Sequence, residues 1–236
     1  RMLQALALYG DPQSAFAWID IAGTNGKGST PAMLHCILSR AGYRAALYTS
    51  PHLVSFTERI RLGRDEITQE EVVAIAEEIW QKTAAADVPL TFFEFNTVMA
   101  FIYFARRGTD VAVVEVGLGG RLDPTNVITP MVSAITTISK DHEAYLGPDE
   151  LSIAREKAGI IKPRIPVVVG KVSKEVAGLL RNIAAERQSP VYFLGVDLKF
   201  SLKDDRFFDY TGIKQHYSNI ELALVGRYQR ANAAVA

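Results

Sequence analysis

An open, mostly parallel α/β sheet covered by helices on both faces is the fold that this chain of 236 residues predicts. Three observations point to it. Short runs rich in Val and Ile alternate with longer segments of helical period, the pattern of a parallel sheet buried between helices. A glycine-rich turn carrying a lysine joins the first of these runs to a helix-like segment. The composition, 48% hydrophobic, is enough to bury a real core.

The elements follow in order. Residues 3–9 form an apolar stretch too short for the core of a signal peptide, ended by Gly10-Asp11-Pro12, and are expected to be a packing helix. Strands are expected at 17–21, 45–49, 111–116, 131–138 and 166–169, with a sixth at 191–194. Residues 68–86 predict the clearest helix: Thr68 and Glu71 make a capping box, and Val72, Ile75, Ala76 and Ile79 line one face. Residues 93–107 predict a second, with Phe95, Val98, Met99, Ile102 and Tyr103 as core before Gly108 ends it. A short helix is expected at 150–158. After residue 195 polar and apolar residues alternate, broken at Asp204-Asp205 and Thr211-Gly212, which predicts an antiparallel meander at the edge of the sheet.

Composition excludes several function classes. Lys plus Arg and Asp plus Glu both number 26, so no broad field would hold a nucleic acid or an anionic membrane surface. The longest apolar runs fall far short of the ~18 residues that suggest a membrane span. Cys36 is the single cysteine, which rules out an internal disulfide. Its neighbours Ile37 and Leu38 suggest a buried, unreactive thiol, and a reducing cytoplasm fits.

The strongest signal is Ala22-Gly23-Thr24-Asn25-Gly26-Lys27-Gly28-Ser29-Thr30, with Pro31 near the first turn of the helix that follows. Glycines let the backbone curl so that several N–H groups face one anion; the helix N-terminus and a lysine add positive charge. A nucleoside triphosphate is the natural guest. Lys27 would reach its terminal phosphates, and the Ser29 or Thr30 hydroxyl would bind Mg²⁺. The common P-loop pattern is not matched in detail, because Ala22 replaces its first glycine and Gly28 separates Lys27 from Ser29.

Lys27, Glu115 and His142 all fall at or beyond the C-terminal ends of expected parallel strands, where open α/β sheets bind ligands. An ionised Glu115 within an apolar strand needs a cation or donor, which Mg²⁺ would supply; a carboxylate facing water is the alternative. His142 could ligate a cation or be structural. Lys157, on a helix, reads by itself as a solvated charge.

The inserted Gly28 narrows the choice. Gly-Thr-Asn-Gly-Lys-Gly-Ser resembles the loop of folylpolyglutamate and dihydrofolate synthases, a branch of the Mur ligase superfamily. Further segments resemble that family in the same order: Tyr48-Thr49-Ser50-Pro51-His52-Leu53, Phe56-Thr57-Glu58-Arg59-Ile60, Glu115-Val116-Gly117-Leu118-Gly119-Gly120-Arg121-Leu122-Asp123, Asp141-His142 with Leu146-Gly147, and Glu156-Lys157-Ala158-Gly159-Ile160. Gly226-Arg227-Tyr228-Gln229-Arg230-Ala231-Asn232-Ala233 resembles a last segment, with Tyr228 where the family has histidine.

The resemblance implies an ATP-dependent ligase that activates the carboxylate of dihydropteroate or a folate as an acyl phosphate and joins it to L-glutamate. It implies ATP and Mg²⁺ as cofactors, with Gly23, Thr24, Asn25, Gly26, Lys27, Gly28, Ser29 and Thr30 around the phosphates and Gln229 and Asn232 close to the nucleotide. It implies Ser29 and Glu115 on one Mg²⁺, and His142 with a carbamylated Lys157 on a second. Ser50, Pro51, His52, Arg59 and Asp123 would meet the acid substrate. Residues 1–236 would then be the ATP-binding domain of a cytoplasmic monomer, without the smaller Rossmann-like domain that in family members follows it, closes over ATP and supplies part of the glutamate site. A cell-wall amino-acid ligase of the same superfamily and a P-loop NTPase or kinase that forms no amide are the alternatives; Gly28 and the Thr49-Ser50-Pro51-His52 loop argue against the first.

Overall fold

The structure, a computed structural model, describes residues 1–204 and 207–236. Its elements are α1 (Met2–Ala7), β1 (Ala17–Ala22), α2 (Ser29–Arg40), β2 (Ala45–Tyr48), β3 (Ile60–Leu62), β4 (Asp65–Glu66), α3 (Gln69–Ala85), α4 (Phe92–Arg106), β5 (Val111–Glu115), β6 (Val132–Ile135), α5 (Glu143–Leu146), α6 (Glu150–Lys157), β7 (Val167–Val169), α7 (Lys174–Glu186), β8 (Val191–Phe193), β9 (Lys199–Leu202), β10 (Phe207–Thr211), β11 (His216–Glu221) and α8 (Arg227–Val235).

Eight strands form one sheet in the order β4-β3-β2-β5-β1-β6-β7-β8. From β2 to β8 all pairings are parallel, and β3 and β4 add an antiparallel hairpin at one edge. All six expected strands are present, and the fold is the expected α/β one. The edge hairpin is an addition that the sequence did not announce. The meander after residue 195 is also antiparallel, but it forms a separate sheet, β11-β10-β9, rather than an extension of the main one. A single bridge, Leu194 to Leu198, leads toward it. Of the break expected at Asp204-Asp205, Asp205 lies outside the described residues.

Alternation along the central strand sets the layers. Trp18, Asp20 and Ala22 point to one face of β1, and Ile19 and Ile21 to the other. On the first face α1, α3 and α4 cover β2, β5 and β1, while α6 and α7 cover the β6–β8 side. On the second, α2 and α8 pack over Ile19, Ile21, Leu47 and Val113. Helix α4 is buried almost all round: Phe101 and Phe104 are fully enclosed, each worth roughly 1.5–3 kcal/mol of apolar burial.

The expected capping box of α3 is formed, with Thr68 Oγ1 accepting the Glu71 N–H at 3.2 Å and the Glu71 carboxylate accepting the Thr68 N–H at 3.0 Å. Thr91 and Glu94 repeat the device at α4. Gly108 follows α4 at φ +64°, the left-handed backbone that ends helices. Cys36 corrects the sequence reading: it is exposed, as is Ile37, because the buried face of α2 runs through Thr30, Met33 and His35. Among the described residues no helix is long and apolar enough to cross a membrane.

Candidate nucleotide and acid-substrate site

The phosphate loop spans the gap between β1 and α2, at the C-terminal edge of the sheet. It is stapled to the chain leaving β6. The expected strand 131–138 ends at Ile135, and its last residues serve as a rail for the loop. The Thr24 N–H donates to the Thr137 carbonyl at 2.7 Å, the Asn25 N–H donates to Thr137 Oγ1 at 3.0 Å, and Thr136 Oγ1 donates to the Asn25 carbonyl at 2.6 Å. Thr24 Oγ1 and the Ser139 backbone bond at 3.1–3.2 Å.

Two glycines have reasons internal to the protein. A Cβ on Gly23 would lie 1.9 Å from Thr136 Oγ1. Gly26 takes φ +84°, and a Cβ there would lie 2.4 Å from Asn232 Oδ1. Gly28 has neither constraint: its backbone is helical at φ −77° and its surroundings are open.

Helix α8 closes the loop from the other side. Gln229 Nε2 donates to Ser29 Oγ at 3.1 Å, and Asn232 Nδ2 donates to Gln229 Oε1 at 2.9 Å. Residues some 200 apart in sequence thus meet. Thr30 is buried, and among the described residues its hydroxyl has no partner.

Two lysines touch the loop. Lys27 Nζ donates to the Thr24 carbonyl at 2.9 Å. Lys157, buried at the end of α6, donates to the Gly23 carbonyl at 2.7 Å, so it is not the solvated charge its helix suggested. Burial, and then the neighbouring Lys27 charge, lower the Lys157 pKa to about 8; Asp141 and Asp123 oppose the shift. Glu115, at the end of β5, is 5% exposed and accepts one backbone N–H, from Ser50 at 3.2 Å. Burial raises its pKa to about 7, against that N–H and Lys27. His142 stands apart: it is exposed, holds φ +48°, and its recorded partner is Asp141 at 3.7 Å.

Beyond the ends of β2 and β5 lies a cleft of about 590 Å³. Ser50, Pro51, Arg59, Phe92, Phe93 and Asp123 are among its walls. Arg59 is buried, donates to His52 Nδ1 at 2.8 Å, and lies 5.8 and 5.9 Å from the Phe56 and Phe92 ring centres. Its guanidinium has no carboxylate partner among the described residues. Asp123 is buried and folds the loop around itself, accepting from the Leu118 N–H at 2.8 Å, the Thr125 N–H at 3.0 Å and the Thr125 hydroxyl at 2.7 Å. Burial raises its pKa, and these bonds restrain the rise.

A larger cleft of about 1140 Å³ opens beyond β1 and β6–β8, lined by Asn25, Ser29, Lys171, Phe200, Tyr228 and Asn232 among others. The loop lines this cleft through Asn25, Gly26 and Ser29, and Glu115 accepts from Ser50, a wall residue of the first cleft.

Sequence reasoning missed five contributors. Thr136 and Thr137 fall inside the expected strand 131–138 and Ser139 just after it, and nothing in their pattern marks them as partners of the loop. Phe92, outside the expected helix, is 68% exposed over the first cleft. Glu58 holds the Leu53, Val54 and Ser55 N–H groups at 2.7–2.9 Å, bonds that pull its pKa down to about 2. The capping spacing Ser55-x-x-Glu58 was the signal available for it.

Comparison with known proteins accounts for this arrangement. The Mur ligase middle domain matches residues 21–236. The chain belongs to the Mur ligase middle-domain family. Among curated relatives, this Mur ligase domain is 40% identical over 218 residues to a dihydrofolate synthase/folylpolyglutamate synthase of Escherichia coli K12, covering 92% of this chain and 50% of that one. It is 38% identical over 249 residues to a folylpolyglutamate synthase of Lacticaseibacillus casei, covering 100% and 57%. A solved FPGS–AMPPCP–folate complex superposes with TM-score 0.94 at 37% identity, over 100% of this chain and 60% of that one. The chain thus spans about half the length of the curated relatives it matches.

Proposed function

We propose that this Mur ligase domain is the ATP-holding part of a cytoplasmic ligase that activates the carboxylate of dihydropteroate or a folate and joins it to L-glutamate. The observation that carries the proposal is a glycine-rich loop lining one cleft beside a buried, incompletely paired carboxylate, Glu115, that is bonded to Ser50 in the wall of another. One cleft is aromatic and carries a buried arginine without an acidic partner; the other opens on the loop. These suit an aromatic acid and a nucleotide.

The triphosphate would lie on the loop amides, with Lys27 released from the Thr24 carbonyl to pair with the terminal phosphate. Arg59 would draw the anionic substrate into the first cleft, and Phe92 and Phe93 would pack its rings, holding its carboxylate in line with the γ-phosphorus. A carboxylate oxygen displaces ADP to give the acyl phosphate. The glutamate amine then adds to the acyl carbon, phosphate leaves, and the amide forms with loss of the amine proton. Backbone N–H groups and lysines neutralise charge at each step.

One Mg²⁺ fits the residues present. Glu115 is buried with a single N–H on its oxygens, and Ser29 opens α2 beside the loop. Among the described residues no three His, Cys, Asp or Glu side chains gather, so phosphate oxygens and water would complete the shell, as Mg²⁺ prefers. When bound, Mg²⁺ screens the β- and γ-phosphate oxygens. The second site, at His142 and Lys157, rests on the resemblance and on the environment of Lys157. With its pKa lowered to about 8, the buried Lys157 amine carries a much larger neutral fraction near neutral pH than an ordinary lysine, and the neutral amine can add to CO₂, losing a proton to become a carbamate.

The test is product formation by the native protein. ATP-dependent phosphate release should require both a pteridine acid and glutamate, and Glu115→Gln should lower kcat by about 10²-fold or more. Phosphate release without glutamate would point to an NTPase or kinase instead.

A further inference from the structure

At the opposite edge of the main sheet from the phosphate loop, a third cavity of about 490 Å³ opens between the last turn of α2, the loop into β2 and the β3–β4 turn. Helix α2 runs from the loop to this cavity over 12 residues, so the two lie about 18 Å apart. Arg40, Arg44 and Arg64 line it together with His35, Ser39 and Tyr43, and no acidic side chain does. In a chain whose charges balance, three guanidinium groups around one concavity mark a local excess of positive charge.

Little in the protein neutralises that excess. Among the described residues, Arg40 and Arg64 have no hydrogen bond or ion pair. The Arg44 guanidinium packs over Gly108 and donates to the Arg107 carbonyl, a neutral acceptor. The Asp110 carboxylate accepts the Arg44 backbone N–H at 2.7 Å, and Glu66 pairs with Arg61 at 2.8 Å. The Ser39 hydroxyl is shielded from solvent and has no partner among the described residues. His35 is buried, with Nε2 fixed 3.2 Å from the Ala45 carbonyl. Planar guanidinium forks match phosphate and carboxylate oxygens two at a time, and a cavity of this volume exceeds one such group.

We propose that this cavity is a second anion site, for a small polyanion carrying at least two phosphate or carboxylate groups. The Arg40, Arg44 and Arg64 guanidinium groups that line the cavity hold the anion.

Cys36 provides the readout, because it lines the cavity, is exposed and is the chain's single cysteine. Alkylation of Cys36 by iodoacetamide is timed in the presence of tripolyphosphate or of citrate, with sodium chloride matching ionic strength. A bound anion slows labelling by a factor of 1 + [L]/Kd, about tenfold at ten times Kd. Protection by tripolyphosphate alone assigns the site to phosphates, by citrate alone to polycarboxylates, and by both to either source. Arg40→Gln/Arg64→Gln should abolish protection; Arg64→Gln alone, on an exposed turn, should weaken it and serves if the double variant does not fold. No protection at about ten times a millimolar Kd overturns the proposal. So does protection that survives in the variants, since the anion would then act from the phosphate loop.

Discussion

Asp20 is the least comfortable residue of the core. It lies fully buried on β1, at the seam between the two hydrophobic clusters on that face, and among the described residues neither carboxylate oxygen has a hydrogen-bond partner. Burial, and then the nearby Asp123 charge, raise its pKa to about 8, with Lys162 and the Ile21 N–H opposing. A raised carboxyl pKa means that the protonated form is favoured in the fold. Its contribution to stability is therefore fully present below pH ~4 and lost as pH rises through about 8. Asp20→Asn cannot ionise, so its stability relative to the parent should improve from pH 4 to pH 8.5 by about 2–4 kcal/mol, read from urea melts at both pH values. A difference that does not change with pH would show that Asp20 finds a donor. Lys157 invites a different measurement. If its amine forms a carbamate, the native protein in ¹³C-bicarbonate should give a carbamate carbon resonance that Lys157→Arg lacks; a spectrum without it overturns carbamylation.

The phosphate loop depends on elements far away in sequence, β6 on one side and α8 on the other. Gly26 is where this dependence is sharpest, because a methyl group would meet the Asn232 amide and the φ of +84° disfavours any side chain. Gly26→Ala should cost about 1–3 kcal/mol and loosen α8 from Ser29, weakening nucleotide affinity at least tenfold. Adding Asn232→Ala should restore part of the stability by removing the clash, but not the affinity, because Gln229 loses its partner; affinity fully restored by the second change would show that α8 does not serve the site. The elements themselves were largely legible: short Val- and Ile-rich runs placed the six expected strands, and period, capping boxes and Gly108 placed α3 and α4, whereas α7 and α8 went unannounced. What the sequence hid were matters of partnership. Residues 60–66 are too short to show a period, so the β3–β4 hairpin went unseen. Alternation after residue 195 identifies strands without saying which sheet they join. Ile37 and Leu38 beside Cys36 suggested burial, but a helix turns 100° per residue, and neighbours in sequence face different ways. Lys157 shows the limit most clearly, since its helix alone predicts a solvated charge and only the fold brings it to Gly23.

Across the whole molecule, the two clefts proposed for the acid and the nucleotide are both open to water: Leu122 and Tyr145 at the first and Tyr228 at the second are mostly exposed. An acyl phosphate formed in such a setting would meet water as readily as an amine, and water exclusion is part of what a ligase must supply. These 236 residues correspond to 50–57% of the curated relatives described above. Because both clefts are open to water, a polypeptide of residues 1–236 is expected to bind nucleotide without forming amide. The fold needs nothing beyond these residues to build the loop, its β6 rail and the α8 clamp, so Mg²⁺–AMPPCP should raise its melting temperature, by about 2.7 kcal/mol of added stability at a hundred times Kd. Lys27→Ala should abolish that shift. With ATP, a folate and glutamate together, the same polypeptide should release at most a slow trickle of phosphate and no glutamylated product by mass spectrometry. Glutamylated product at a native rate would mean that the open clefts already suffice for the whole reaction, and no thermal shift would mean that the loop needs further chain to hold its nucleotide.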